Sequence, residues 1–381
     1  MEVHILRLAK HLMILVGAWC QDGFYNNTKQ KIYQIFSHII LGIYSAVCFM
    51  IIMECPNLLW SNDVKKLTYN CGILFSCIIA LAKFAIIRSR KFQHFISEII
   101  AEEQNMLTDG YKDEHKIYLK HVNYVYKLSI AILVTSGITA SLLVIRGFMH
   151  EMTVNARLPF DQDQHYGASL MIQSIFIGVA LTYYCMTIIV YISVLTFIKS
   201  QLRILQYRFR NFDEYKESFE SSISDVDVMK KLIGFHNFIL RFGKELNDAL
   251  KYILLLELVL SSITIASECF LLISIQVANE RVLFLSCLSM LTGQLFILAF
   301  HADEIRIESI AVSDAVYEMN WYEKSLQVQD MALIVILRSQ RPLALTIGPF
   351  KPLTTETIIS VINAAYSYVT IMTNIEHLDE P

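Results

Sequence analysis

The last apolar segment of the chain carries a regular stripe of small polar residues. Polar side chains recur there in steps of three, four, three and four residues, at Ser360, Asn363, Ser367, Thr370 and Asn374. Because an α-helix has 3.6 residues per turn, these five side chains lie on one face of a helix. Within a membrane, such a face either holds a partner helix by close packing or lines a water-filled path. The pattern alone leaves both interpretations open.

Three ionisable residues, Lys83, Glu257 and Glu268, also fall inside apolar segments. A charge is unstable in hydrocarbon, so ionisable residues are rare inside spans. One that occurs there is therefore a candidate for a functional role. Lys83 stands near the end of its segment, so we expect its long side chain to carry the ammonium group to the membrane surface. Glu268 is expected instead to face the interior of the subunit or a path for water.

The sequence shows no motif of catalysis. It contains no Gly-x-Ser-x-Gly, no Walker-type phosphate loop and no His-Glu-x-x-His, which are common signatures of hydrolases, nucleotide-binding enzymes and metalloproteases. The eight cysteines lack the spacing of a metal site or a disulfide framework. The net charge of −3 gives no sign of nucleic-acid binding. We therefore predict no enzyme activity, no cofactor, no metal site and no nucleic-acid partner.

The elements that position these residues are predicted to cross a membrane. Hydrophobic residues make up 55% of the 381 residues and charged residues 18%, against about 25% charged in a soluble domain. A bilayer core needs about 20 apolar residues per helix, and seven segments meet this requirement. The composition thus predicts an all-α integral membrane protein surrounded by lipid. The seven predicted spans are residues 32–53, 67–87, 128–149, 170–198, 252–275, 282–300 and 353–375.

The basic residues predict the orientation of these spans. Lys and Arg are frequent before the first span and in residues 88–127, 198–251 and 301–351, and are few in the alternate connections. Basic segments stay in the cytosol, so the N-terminus is predicted to be cytosolic and the C-terminus extracellular. G-protein-coupled receptors have the opposite orientation. Most of them also have a cysteine in the second extracellular loop, which residues 150–168 lack, so that class is disfavoured.

The connections on the cytosolic side are predicted to be helical as well. Residues 199–251 mix charged residues with Leu, Ile and Phe, a pattern typical of amphipathic helices that extend spans four and five. Residues 302–340 predict two more short helices, and the apolar run 331–337 is too short to span and predicts a buried cytosolic helix. Together these segments are expected to form a compact cytosolic layer.

Motifs from residue 300 onward resemble the C-terminal signature of insect odorant receptors. They are FHADE at 300–304, SDAVYEMNWY at 313–322, RPLALTIG at 341–348, PLTTET at 352–357 and YSY at 366–368. A gustatory-type receptor of the same superfamily, also a ligand-gated channel, is the nearest alternative, but its signature lacks the pattern seen at 314–322. The earlier part of the chain matches the family in length, number of spans and orientation.

The resemblance implies an odorant-gated, nonselective cation channel of four subunits in the plasma membrane of a sensory neuron dendrite. Subunits that respond to particular volatile odorants pair with a co-receptor of the same fold in a heterotetramer. The co-receptor has a much longer connection between helices four and five than residues 199–251, so this chain resembles an odorant-specific subunit. The implied organisation is 1–300 for six spans, ligand pocket and cytosolic extensions, 301–351 for the anchor helices, and 352–381 for the pore helix with a short extracellular tail.

The resemblance also favours the pore interpretation of the polar stripe. Ile371, three residues after Tyr368, matches the family's hydrophobic gate, and Ile375 is the next candidate constriction. A ring of apolar side chains can close a pore by dewetting it. The predicted pore and gate residues are Ser360, Asn363, Ser367, Thr370, Ile371, Asn374 and Ile375.

A ligand pocket between helices two, three, four and six, in the outer half of the membrane, is likewise implied by the resemblance. Its predicted lining combines small residues that make room with aromatic and aliphatic residues that supply contact, which suits a volatile apolar ligand. For each single residue, ordinary packing between helices is the alternative. The predicted lining residues are Tyr69, Gly72, Ile73, Ser76, Gly137, Ser141, Ile145, Ile175, Gly178, Val179, Phe284, Leu288 and Leu291.

Overall fold

The protein is built almost entirely from long helices. Its computed structural model describes residues 4–19, 27–61, 64–109, 112–149, 154–157, 160, 164–219, 223–275 and 277–378. The α-helices are α1 (Arg7–Val16), α2 (Asn27–Trp60), α3 (Val64–Arg88), α4 (Arg90–Asp109), α5 (Lys112–Phe148), α6 (Tyr166–Arg210), α7 (Phe212–Glu217), α8 (Asp225–Ser274), α9 (Ala278–Glu318), α10 (Leu326–Ser339) and α11 (Thr355–Leu378). Strands β1 (Thr346–Ile347) and β2 (Lys351–Pro352) lie between α10 and α11.

Within the described residues, six helices are long and apolar enough to cross a membrane: α2, α3, α5, α6, α8 and α9. Each of them covers one of the first six predicted spans to within one residue, so the prediction of an all-α membrane protein is confirmed. The seventh predicted span falls in α11, a helix of 24 residues. Its helix begins at Thr355, two residues after the predicted start of the span at 353.

Helix α6 lies at the centre of the fold. It packs against α1, α3, α5, α8 and α9, and every residue from 185 to 198 is buried. Apolar residues surround this helix on all sides, which is typical of a helix enclosed by other helices. The remaining long helices therefore pack around α6, and the cavity described below lies against its N-terminal half.

Three of the spanning helices continue far beyond their apolar segments. Helix α6 runs on to Arg210, α8 begins at Asp225, and α9 continues without a break to Glu318. Two separate short helices were predicted over residues 302–340. The first of them is wrong, because that segment is the continuation of α9. Polar residues end the apolar segment near residue 300 but do not end the helix, because they form ion pairs with a neighbouring helix.

These ion pairs connect the polar halves of α6 and α9. Lys199 pairs with Glu304, and the Arg203 guanidinium contacts the Glu308 carboxylate at 2.6 Å. Gln206 adds a hydrogen bond from its Nε2 to Glu308 Oε2 at 3.0 Å. Partners recur every fourth residue on both helices, so the two helices run alongside each other in a fixed register.

Helix α10 contains the apolar run 331–337 and buries one of its faces. Ala332 and Val335 are buried, whereas Leu333, Ile334 and Leu337 are each more than half exposed in the single chain. The prediction of a buried helix therefore holds for one face and is wrong for the other. We call Leu333, Ile334 and Leu337 the α10 apolar face. Three large apolar side chains on one exposed helix face form a patch suited to a partner subunit.

A short hairpin fixes the entry into α11. Strands β1 and β2 pair antiparallel, with Thr346 opposite Pro352. The N–H of Gly348, at a φ of +55°, donates to the Lys251 carbonyl oxygen at 2.8 Å. The N–H of Thr346 donates to Asn247 Oδ1 at 2.7 Å. These bonds join the start of α11 to α8, the helix against which α11 then packs.

Candidate functional site

A cavity of about 190 Å³ lies between the spanning helices. Its wall is mostly apolar and aromatic, and six helices contribute to it. The four helices implied by the resemblance, now α3, α5, α6 and α9, are among them. The lining residues are Tyr44, Tyr69, Gly72, Ile73, Ser76, Cys77, Ala80, Thr139, Leu143, Val154, Phe176, Ile177, Ala180, Leu181, Tyr184, Glu268, Cys287, Met290 and Leu291.

Five of the predicted lining residues line this cavity. Four of them lie along one face of α3: Tyr69, Gly72, Ile73 and Ser76. The fifth is Leu291, on α9. The same face of α3 continues into the cavity wall with two residues that were not predicted, Cys77 and Ala80.

On α5 the predicted residues lie on the wrong side of the helix. Gly137 and Ser141 are exposed, while Thr139 and Leu143 line the cavity. Two residues rotate a helix by about 200°, so the predicted face is nearly opposite to the observed one. Ile145 is exposed as well and lines a separate groove between α5 and α9.

The same correction applies to α6. Ile175 and Gly178 are exposed, and Val179 packs against other core residues. Instead, Phe176, Ile177, Ala180, Leu181 and Tyr184 line the cavity. Lipid-facing and cavity-facing side chains are both apolar in a membrane, so periodicity identifies the helix but not which face turns inward.

Phe284 and Leu288 lie next to the cavity without lining it. Phe284 is buried and meets the Tyr69 ring edge-on, with ring centroids 5.6 Å apart. The Arg146 guanidinium stacks on both rings, at 5.7 Å from Tyr69 and 5.9 Å from Phe284, and contacts Glu280 at 3.7 Å. Leu288 packs against the core. Tyr69 thus separates the cavity from a roof made by Phe284 and Arg146.

The cavity wall contains few polar groups. The Tyr184 hydroxyl donates to the Met290 carbonyl oxygen at 2.7 Å, and the Thr139 hydroxyl donates to the Thr135 carbonyl oxygen at 3.2 Å. Glu268 contributes a carboxyl group. The rule that ionisable residues within spans are functional candidates identified Glu268 from the sequence, whereas nothing in the pattern distinguished Tyr44, Thr139 or Tyr184.

Lys83 does not reach the membrane surface, so that prediction is wrong. Its side chain is 2% exposed and forms an ion pair with Glu257. Gln294 donates from Nε2 to Glu257 Oε1 at 2.8 Å, and the Lys83 ammonium lies 5.6 Å from the centroid of the Tyr191 ring. The buried carboxylate is stabilised by a cation and an amide, and the group connects α3, α8 and α9.

Helix α11 packs through one face and exposes the other. Ile358, Val361, Ala365 and Val369 are buried where the helix packs against α8 and α9. The predicted polar stripe and gate lie on the exposed side. Its described members are Ser360, Asn363, Ser367, Thr370 and Ile371. The side chains of the other two predicted members, Asn374 and Ile375, lie outside the described residues.

These features define a multi-pass α-helical membrane protein with a small, mostly apolar cavity between its helices. Residues 63–366 match the sequence profile of the 7tm Odorant receptor family. Since the match covers most of the chain, the protein belongs to this family of odorant receptors. The family consists of receptors and not of enzymes, which confirms the prediction of no enzyme activity.

Known relatives agree with this assignment. Odorant receptor 10 of Aedes albopictus is 33% identical over 172 residues, which cover 45% of this chain and 46% of that receptor. Odorant receptor Or2 of Anopheles gambiae is 28% identical over 145 residues, 38% of each chain. The aligned region thus spans less than half the length of these curated relatives.

The fold is similar to that of a solved olfactory receptor. The insect olfactory receptor OR5 from Machilis hrabei superposes with a TM-score of 0.80 over 97% of both chains, at 13% sequence identity. The same receptor in complex with eugenol gives a TM-score of 0.79 at 14% identity. At this low identity, the similarity establishes the fold and not the ligand.

Proposed function

We propose that this protein is the odorant-specific subunit of an odorant-gated, nonselective cation channel. Membership in the odorant receptor family carries this proposal, and the cavity between the spans supports it. The cavity is smaller than the pockets of about 300 Å³ or more that hold drug-sized ligands. It therefore suits a small volatile molecule, and the receptor of similar fold from Machilis hrabei has been solved in complex with the small molecule eugenol.

The pore is proposed to run along the exposed face of α11. Four polar side chains and Ile371 point away from the body of the subunit, where other copies of the helix could face them across an axis. Polar groups exposed at membrane depth need water or a partner helix. In an assembly of four subunits with this face at the centre, the polar side chains line a water-filled pore. The large apolar side chain of Ile371 closes this pore.

The subunit is proposed to lie in the plasma membrane with its N-terminus in the cytosol and its C-terminus outside. The α10 apolar face and the ion-paired ends of α6 and α9 then form a cytosolic anchor layer that holds the subunits together. The partner is proposed to be a co-receptor subunit of the same fold in a heterotetramer. The exposed α10 apolar face supports assembly with other subunits.

Recording of membrane current tests this function. The chain is expressed with and without an insect odorant co-receptor, and a panel of volatile compounds is applied under voltage clamp. We expect an odorant-evoked cation current in the presence of the co-receptor. Surface expression of both chains with no current from any compound would contradict the proposal.

A further inference from the structure

The cavity wall contains a buried carboxyl group with no protein partner assigned to one of its oxygens. Glu268 lines the cavity and is 7% exposed. Its Oε2 atom meets no hydrogen-bond donor among the residues that the structure describes. Most buried side-chain polar atoms in proteins have a hydrogen-bond partner, and each exception calls for an explanation. Here the carboxyl borders a cavity, so the partner can come from a ligand.

A second carboxyl on the same helix, that of Glu257, has partners from other helices of the protein. Glu257 precedes Glu268 by 11 residues on α8, about three helical turns, so both side chains leave the same face. Glu257 has Lys83 as its cation and Gln294 as an amide donor, both at Oε1. Its Oε2, like that of Glu268, meets no donor among the described residues, but Glu257 does not line this cavity. In the described part of the chain, Glu268 has neither a cation nor an amide donor of this kind.

The surroundings of Glu268 are apolar or already paired. Helices α3 and α8 approach closely here, since a Cβ placed on Gly72 would lie 3.8 Å from Ser267 Cβ. The cation on the neighbouring rings, Arg146, contacts Glu280 and stacks on Tyr69. A donor that enters the cavity therefore finds in the Glu268 carboxyl the one acidic acceptor among the lining residues, beside a few hydroxyl and thiol groups.

We propose that Glu268 determines the specificity of the cavity by accepting a hydrogen bond from a small, neutral, largely apolar ligand with one N–H or O–H group. A carboxyl oxygen accepts from either donor. A cationic ligand is disfavoured, because its charge would lose its hydration on entering the cavity and would gain only one acidic group as a partner. This inference rests on the proposed function, since it assigns ligand chemistry to the receptor cavity.

A site that hydrogen-bonds its ligand discriminates strongly against analogues without the donor. The test therefore uses matched pairs in which a methyl group blocks the donor. The pairs are 4-methylphenol with 4-methylanisole, benzyl alcohol with benzyl methyl ether, and N-methylaniline with N,N-dimethylaniline. Binding is measured as thermal stabilisation of the receptor purified with its co-receptor, over a range of concentrations, and current is recorded from the same complexes in cells.

For compounds that bind, we expect the donor-bearing member to half-saturate at a concentration about tenfold or more below that of its methylated partner. Glu268→Leu should abolish this difference, while Glu268→Gln, which keeps an acceptor oxygen, should retain it. Equal binding within pairs, binding by no donor-bearing compound, or a preference that survives Glu268→Leu would overturn the proposal. Loss of the preference in both variants would show that an acceptor oxygen at this position does not determine the preference and would also overturn the proposal.

The two readouts separate this inference from the proposed function. Binding with the expected preference but without current would leave the Glu268 assignment standing and contradict ligand gating. Current evoked equally by both members of each pair would support gating and contradict the role of Glu268. Binding of the methylated compounds to Glu268→Leu also shows that this variant is folded.

Discussion

At the scale of single residues, the buried ion pair of Lys83 and Glu257 should be sensitive to mutation. Both side chains are 2% exposed, and they connect two helices that are far apart in sequence. Removing one partner from a buried ion pair leaves a charge without compensation, which costs about 3–5 kcal/mol. The pair therefore stabilises the packing of α3 on α8.

The double-mutant cycle at this pair gives a direct prediction. Lys83→Met and Glu257→Gln should each lower the melting temperature of the purified receptor. Lys83→Met should be the more severe, because Met offers the Glu257 carboxylate no donor, whereas the amide oxygen of Gln can still accept from the Lys83 ammonium. The double variant should be more stable than Lys83→Met alone, since the stranded charge is gone. Additive losses in the double variant would contradict a direct pairing.

Ile371 is the residue whose change should open the channel without ligand. It is 56% exposed on the free face of α11, and Ile371→Ala weakens the apolar ring that keeps the closed pore dry. If the closed state loses about 1.4 kcal/mol, the ratio of open to closed channels rises about tenfold. We expect a ligand-free leak current, recorded under voltage clamp. Ile359→Ala, on another exposed face of the same helix, is the control and should leave the baseline low.

An unchanged baseline in Ile371→Ala, at normal surface expression, would count against the gate assignment. A leak of equal size in Ile359→Ala would show that any loss of apolar bulk on α11 opens the pore. Either result would contradict the assignment of the gate to Ile371.

At the scale of elements, the rotation of each helix decides which residues the ligand touches. Ile73 of α3 lines the cavity, whereas Ile175 of α6 is exposed on the outer surface of the bundle. The two residues are chemically identical and both were predicted to bind ligand. They provide a matched pair for testing the corrected face of α6.

Substitutions in the cavity should weaken the response to odorant. Ile73→Ala and Tyr69→Ala remove apolar contact with a bound ligand, and a loss of about 1.4 kcal/mol raises the half-maximal concentration about tenfold. Ile175→Ala should leave the concentration–response curve unchanged. If Tyr69→Ala and Ile73→Ala both leave sensitivity unaltered, the pocket lies elsewhere.

The sequence predicted the helices of this fold better than their faces. Apolar length alone placed all seven spans at observed helices. A period of three to four residues placed the stripe from Ser360 to Thr370 on one face of α11, which is exposed in the structure. The faces of α5 and α6 were misassigned, because similar small and apolar side chains face both lipid and cavity, so the pattern around Ser141 and Ile175 does not distinguish the two sides. The extension of α9 to Glu318 was missed because its stability comes from ion pairs with α6, which only the fold brings together.

At the scale of the whole molecule, the single chain exposes two surfaces that suit other subunits. One is the polar face of α11, and the other is the α10 apolar face, whose members are each more than half exposed. Large apolar side chains grouped on an exposed surface mark sites of association. A tetramer would cover both surfaces at once.

The α10 apolar face should be required for assembly. Leu337→Asp places a charge where a partner subunit is proposed to pack, and leaving that charge buried and unpaired costs several kcal/mol. We expect the co-purified complex to fall apart into smaller species by size-exclusion chromatography with light scattering. Leu337→Met keeps the apolar volume and should assemble as the unsubstituted chain does. Assembly of Leu337→Asp to full size would place the interface elsewhere.

The central claim is that odorant binding opens a pore lined by the polar face of α11. The most direct measurement introduces Ser367→Cys and follows the current while a positively charged, membrane-impermeant thiol reagent is applied with and without odorant. The unsubstituted chain controls for its native cysteines, and Val361→Cys, on the buried face of α11, controls for position. We predict that the reagent blocks the Ser367→Cys current much faster when odorant holds the channel open. An odorant-evoked current that the reagent leaves intact would contradict the claim.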